Sequence, residues 1–194
     1  IEARFIEAHR LAPYSFRSTD VGVVLDLMIH DIDLANAWTQ SEVVAVDAVG
    51  GATFSPSEDI ASARIRYANG AVANLTASRL SLKPMRRFRV FGPDSYLSVD
   101  SQEKYALLVK KSEKFSPEML KEISQSDNPQ AEFGKLLDIE ELHLNDDEPR
   151  RAELTEFMAA VEGKDSNVVT GVEGMHAVTV AHQVMKALEE CQWS

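Results

Sequence analysis

The chain divides by the period of its apolar positions. Between Val21 and Trp38, Leu25, Met28, Ile29 and Ile32 fall at i, i+3, i+4 and i+7, the spacing of one helix face. Leu27, Leu34 and Trp38 widen the apolar surface, and Asp20 stands where an N-cap belongs, so a helix is expected from there to about Trp38. The β-branched valines at its start weaken the first turn. Period two takes over afterwards. Residues 42–54 (EVVAVDAVGGATF) read as a strand. In 61–79, Ala63, Ile65 and Tyr67 alternate with Ser62, Arg64 and Arg66, and Ala71, Ala73, Leu75 and Ala77 alternate with Val72, Asn74, Thr76 and Ser78. Asn69-Gly70 between the two runs predicts a type I′ hairpin turn, which needs positive φ twice. Residues 2–12, 86–92, 96–100 and 105–110 read as further strands, with turn chemistry at Gly92-Pro93-Asp94.

Residues 112–138 are charged, contain Pro117, Pro129 and Gly134, and lack sustained periodicity, which predicts a surface excursion with a short helix. Residues 139–144 return as a strand. Leu154, Phe157, Met158 and Val161 mark an amphipathic helix after Pro149. Thr170 and Glu173 form a capping box for a last helix, with Ala177, Val180, Ala181, Val184 and Leu188 inward. The order of strand, helix, several antiparallel strands and two helices is an α+β pattern: a predominantly antiparallel, open-faced sheet with helices packed on one face. Helices that cover one face leave the other to solvent or a partner. The hairpin face bearing Ser62, Arg64, Arg66, Val72, Asn74, Thr76 and Ser78 is mixed in polarity, which suits an isologous interface and predicts a homo-oligomer.

Composition narrows the classes. A chain of 194 residues, 44% hydrophobic and 26% charged, is an ordinary soluble globular chain with room for one sizeable core. No apolar run approaches the ~20 residues of a membrane span, and the charged stretch Ile1–Arg10 is no signal peptide. A net charge of −11 and a pI near 4.9 argue against nucleic acid as partner. The one cysteine, Cys191, forms neither an intrachain disulfide nor a Cys-rich metal site, which fits a cytoplasmic setting.

Candidate chemistry concentrates in residues 23–34, VVLDLMIHDIDL. Asp26, His30 and Asp33 stand at i, i+4 and i+7 on one helix face, and no Lys, Arg or Glu occurs from Val21 to Ser41. Apolar neighbours predict a poorly solvated face, where burial raises a carboxylate pKa and lowers a histidine pKa, and a close Asp–His pair opposes both. A histidine held in one tautomer by a carboxylate works as a general acid or base. The same pattern also fits a satisfied core histidine, or a divalent-cation site. No GxGxxG or GxxxxGKS occurs; VGG at 49–51 and TGVEG at 170–174 do not fit. His143 reads as half-buried structure, and His176 and His182 as packing or surface positions. His9-Arg10 and Arg17 precede the acidic helix, placed either to meet an anionic group or to form surface salt bridges.

Beyond these patterns, DVGVVLDLMIHDIDLA resembles the GG-x-x-x-D-x-G-x-H-x-x-D signature of the glucose-fructose oxidoreductase/inositol dehydrogenase/rhizopine-catabolism (Gfo/Idh/MocA) family. YANGAVANLTASR resembles that family's sheet hairpin and FGPDSYLSVD the turn after it, while EPRRAELTEFMAAVEG and TGVEGMHAVTVAHQVMKAL resemble its two closing helices. The resemblance implies the C-terminal, substrate-binding and oligomerisation domain of an NAD(P)-dependent dehydrogenase acting on a sugar, cyclitol or nucleotide sugar. NAD or NADP would be bound by an N-terminal Rossmann domain that this chain does not include, so no cofactor-binding or metal residue is assigned here and the chain alone is expected to be inactive. It implies that His30 is the acid/base at the substrate hydroxyl, that Asp33 partners it and that Asp26 contacts substrate. The family's Glu-Lys-Pro lysine belongs to the absent domain; Lys83-Pro84 lacks the Glu. Met28 stands where the family has glycine, which is expected to narrow the pocket or alter the helix. Residues 7–33 also resemble members that oxidise the 3-position of UDP-N-acetylglucosamine, which would give Arg10 and Arg17 a substrate-binding role. The competing reading is a non-catalytic sugar-binding or oligomerisation module that keeps the fold and not the chemistry.

Overall fold

Residues 1–15, 20–144 and 148–191 are described by a computed structural model. Strand β1 (Phe5–Leu11) reaches the sheet before the helix that follows it, and the hairpin strands are added beside it. The result is one sheet of eight strands, in the order β2 (Val43–Gly51), β3 (Ile60–Tyr67), β4 (Val72–Ser78), β1, β5 (Met85–Phe91), β6 (Ser95–Asp100), β7 (Tyr105–Lys111) and β8 (Leu137–His143). Only β1 and β4 run parallel; the other neighbours are antiparallel. Strand alternation sends Ile6, Ala8 and Arg10 of β1 to one face, together with Ala61, Ala63, Ile65 and Tyr67 of β3, Ala73, Leu75 and Ala77 of β4, and Phe88 and Val90 of β5.

Against that face lie α1 (Ile29–Thr39), entered through a wide turn over Val24–Met28, and α5 (Gly171–Glu190). Val24, Met28, Ile32 and Ala35 from the first, and Ala177, Val180, Ala181 and Val184 from the second, join the sheet residues in one buried cluster. Alanines on the strands let the helices sit close. Each fully buried Ile, Leu, Met or Val removed from water contributes about 1.5–3 kcal/mol. α5 starts as expected: the Thr170 hydroxyl accepts the Glu173 N–H at 3.3 Å, and the Glu173 carboxylate accepts the Thr170 N–H at 2.7 Å. The opposite sheet face is open. Ser62, Arg64 and Arg66 are exposed on it, Glu7 pairs with Arg89 at 3.1 Å, and a groove of about 490 Å³ runs past Glu7, His9, Asp47, Arg64, Asn74 and Thr76.

Four expectations are corrected. The Asn69-Gly70 turn is not type I′. Only Gly70 has positive φ (85°), the Gly70 N–H donates to Tyr67 O and the Tyr67 N–H to Ala71 O, the three-residue loop that ends in a left-handed glycine. Asn69 is held elsewhere: its Nδ2 donates to Thr39 O and its backbone N–H to Ser41 Oγ, fastening the hairpin to the end of α1. The 112–138 excursion holds two short helices, α2 (Pro117–Ser124) and α3 (Pro129–Gly134), each entered through a side-chain cap, Ser116 or Asn128. The first helix is entered at Gly22, whose carbonyl accepts the Asp26 N–H at 3.0 Å, with Val23 and not Asp20 at the N-cap, and it then widens into an i→i+5 turn in which the Ile29 N–H donates to Val24 O. In α4 (Pro149–Val161) the stripe Leu154, Phe157, Met158 and Val161 is exposed, since no described element packs on it. Among the described residues no helix is long and apolar enough to cross a membrane.

Candidate functional site

Val24, Met28, Ile32 and Ala35 turn one side of the helix into the core, and Leu25 and Ile29 pack against its margin. Asp26 and His30 are exposed and Asp33 is half-buried. The poorly solvated stripe expected from the apolar neighbours is therefore corrected at two of its three positions: Asp26 and His30 meet water, and only Asp33 is partly withdrawn from it. His30 is not a core histidine. Met28 is fully buried in the core, so it narrows no pocket.

No hydrogen bond joins His30 to Asp33 among the described residues; the two interact through their fields. Burial pushes the Asp33 carboxyl above the ordinary carboxylate value, the Glu173 carboxylate of α5 pushes it further, and His30 pulls it back. Asp33 opens onto a cleft of about 830 Å³ between the C-terminal half of α1 and α5, walled by Asn36, Glu173, His176, Thr179 and Gln183 among others. Sequence reasoning placed Glu173 only in a cap and His176 only at a packing or surface position. The signal that would have found them is their position four residues before Ala177 and Val180, on the margin of the α5 core stripe.

Arg10 rises from β1 on the helix side of the sheet and donates Nε to Asp31 Oδ2 at 2.9 Å and Nη2 to Asp31 Oδ1 at 2.7 Å. The pair is nearly closed to solvent, with side chains 17% and 6% exposed. The bidentate fork holds α1 to β1 next to His30, so the guanidinium expected to meet substrate faces Asp31. Asp31 went unread in the sequence, although an acid three residues after Met28 and four before Ala35 lies on the core-facing phase and requires a partner. His9, one residue earlier on the strand, points to the open face. Arg17 lies outside the described residues.

An exposed imidazole between two carboxylates of its own helix is equipped to take a proton from a bound hydroxyl and return it. Among the described residues no group of three His, Cys, Asp or Glu side chains is placed to hold a metal ion.

Residues 2–98 match the family described as GFO/IDH/MocA C-terminal domain. UDP-N-acetylglucosamine 3-dehydrogenase of Acidithiobacillus ferrooxidans is 50% identical over 97 residues, which make up 50% of this chain and 31% of that protein. A solved structure of UDP-N-acetylglucosamine 3-dehydrogenase from the same organism matches 97% of this chain and 56% of its own, with a TM-score of 0.80 and 34% identity. Levoglucosan dehydrogenase in complex with NADH and L-sorbose has the same fold at a TM-score of 0.71 and 16% identity, over 97% of this chain and 57% of that one. The chain thus spans little more than half the length of these solved structures.

Proposed function

Since this chain belongs to the GFO/IDH/MocA oxidoreductase family, whose C-terminal domain it matches, we propose that it is the substrate-binding and catalytic domain of an NAD(P)-dependent dehydrogenase that oxidises a ring hydroxyl of a nucleotide sugar of the UDP-N-acetylglucosamine class. The observation that carries the reading is the exposure of Asp26 and His30 on a helix that is otherwise locked into the core. A packing histidine does not need that placement, and a proton-transfer group does. The substrate class is supported by the 50%-identical dehydrogenase segment.

A nicotinamide cofactor would accept the hydride, and no residue of this chain is assigned to hold it. His30 takes the proton of the substrate hydroxyl. Asp26, exposed in the preceding turn, accepts a hydrogen bond from the sugar. Asp33 sets the field at His30 and stabilises the imidazolium once the proton has moved. Arg10 and Asp31 hold the helix in register, so His30 keeps one position relative to the sheet.

The test is steady-state kinetics of the complete enzyme with UDP-N-acetylglucosamine and a cyclitol panel. His30→Ala is expected to lower kcat by roughly 10²–10⁴-fold, the usual worth of a placed acid/base. Unchanged kcat in that variant would return the chain to a sugar-binding or oligomerisation module.

A further inference from the structure

The turn that carries Asp26 starts on two amides that have no partner in their own helix. The Val23 N–H donates to Glu58 O at 3.0 Å, and the Val24 N–H donates to Glu58 Oε1 at 3.1 Å. Both valines are fully buried, so water does not replace these contacts, and an unpaired amide there is costly. One residue from the segment before β3 therefore supplies the main-chain and side-chain acceptors of the helix start.

The carboxylate reaches this place only because residue 22 is glycine. A Cβ on Gly22 would come within 1.9 Å of Glu58 Oε1 and 2.0 Å of Glu58 Cδ. The carboxylate is the far end of a flexible side chain, so a methyl group there displaces it from Val24 and leaves the backbone free to stay. Glu58 itself is anchored by its neighbour. Asp59 is fully buried, accepts the N–H groups of Thr53, Phe54 and Ser55 at 2.8, 2.6 and 3.1 Å, and lies 3.7 Å from Arg79 Nε. The Arg79 guanidinium donates to Val21 O on the other side of Gly22. The entrance to the helix is thus gripped from both sides of the glycine.

We propose that Glu58 is a positioning residue of the candidate site, admitted by Gly22, and that the two together hold the i→i+5 turn between Asp26 and His30 and so fix where Asp26 stands relative to the imidazole. The proposal rests on the reading of Asp26 and His30 given above. In a regular α turn, residues four apart are offset by about 40° around the axis; an i→i+5 turn is wider and gives a different offset. Loss of the Val24 contact lets the turn tighten or fray, and Asp26 moves relative to His30 while the core beneath, built on Met28 and Ile32, stays in place.

The experiment compares Glu58→Ala, Gly22→Ala, their double variant and Glu58→Gln in the complete enzyme, at a temperature where circular dichroism shows each folded. Each alanine variant is expected to lower kcat about ten- to a hundredfold, the scale of a misplacement near 1 Å, with a smaller change in KM. The double variant should be no worse than the weaker single, because both remove one contact. Glu58→Gln, whose amide oxygen still accepts the Val24 N–H, should recover most of the loss. Hydrogen exchange at the Val24 amide should quicken in the alanine variants and not in Glu58→Gln. Should Glu58→Ala fail to fold, Glu58→Asp, one methylene too short for Val24, reads the same contact. Wild-type kcat in both alanine variants while His30→Ala is inactive overturns the proposal alone, as do additive losses in the double variant. An active His30→Ala enzyme overturns the functional reading instead, and Val24 exchange then decides whether Glu58 holds the turn.

Discussion

Asp33 and Asp59 show how two carboxyls of one chain are driven in opposite directions. Asp33 is raised from 3.8 by burial and by Glu173, so folding disfavours its charged form. The penalty is absent while the group is protonated in both states and is fully present once pH exceeds the folded value. Asp33→Asn is therefore expected to raise the melting temperature at pH 7 and not at pH 3, while lowering kcat of the complete enzyme through the lost field at His30. A melting temperature that falls at pH 7 would show that Asp33 is stabilising where it stands. For Asp59, burial raises the carboxyl, but the Ser55 hydroxyl and the amides of Phe54, Thr53 and Ser55 outweigh it and bring it down to about 2. Its contribution is present above the unfolded value and lost as pH falls through the folded one. Asp59→Asn should cost roughly 2 kcal/mol at pH 7 and flatten the loss of stability between about pH 4 and pH 2, as read by urea titrations along that range.

At the scale of elements, α1 is held at two points, by Glu58 at its entrance and by the Arg10–Asp31 fork beside His30. Removing one partner of a closed ion pair leaves the other charge without compensation. Arg10→Ala is expected to cost about 3 kcal/mol, and Arg10→Met with Asp31→Leu to restore most of it; denaturant midpoints of the wild type and these two variants check this. A double variant as unstable as the single would mean that the charges, rather than the filled space, hold the helix to β1. α4 shows the reverse case. Its apolar stripe was legible, yet a stripe states only that a helix buries something, and Leu154, Phe157, Met158 and Val161 remain exposed among the described residues. The hairpin turn was misread for a related reason. Asn-Gly dipeptides serve two loop types, and the bonds from Asn69 to Thr39 and Ser41 belong to a distant helix end.

At the scale of the molecule, the open sheet face calls for an explanation. It is mixed in polarity, with the Ser62 and Thr76 hydroxyls 3.2 Å apart between β3 and β4 and arginines already paired to Glu7 and Asp100 toward β5 and β6. Self-neutralised polar faces of this kind pack against a second copy without stranding charge. Self-association through this face is expected, seen as a light-scattering mass of twice 21.5 kDa or more at tens of micromolar. Thr76→Asp should bring the mass down. A monomer mass across that range would leave the face to solvent.

The α+β order, the period-two hairpin, the Thr170–Glu173 capping box and the inward stripe of α5 were all readable along the chain, because each is a local property of spacing and propensity. The spacing of Asp26, His30 and Asp33 along a helix was readable too. Whether these positions are wet or dry was not readable, since it depends on which of their neighbours reach the sheet and α5. The roles of Gly22, Glu58 and Asp31 were equally hidden. Their partners are 34 residues away for Val24 and Glu58 and 21 for Arg10 and Asp31, and such separations are closed only by the packing of the whole sheet against α1. Local chemistry specifies elements and their faces; which charged groups are held, and which stay open to a ligand, is decided where those faces meet.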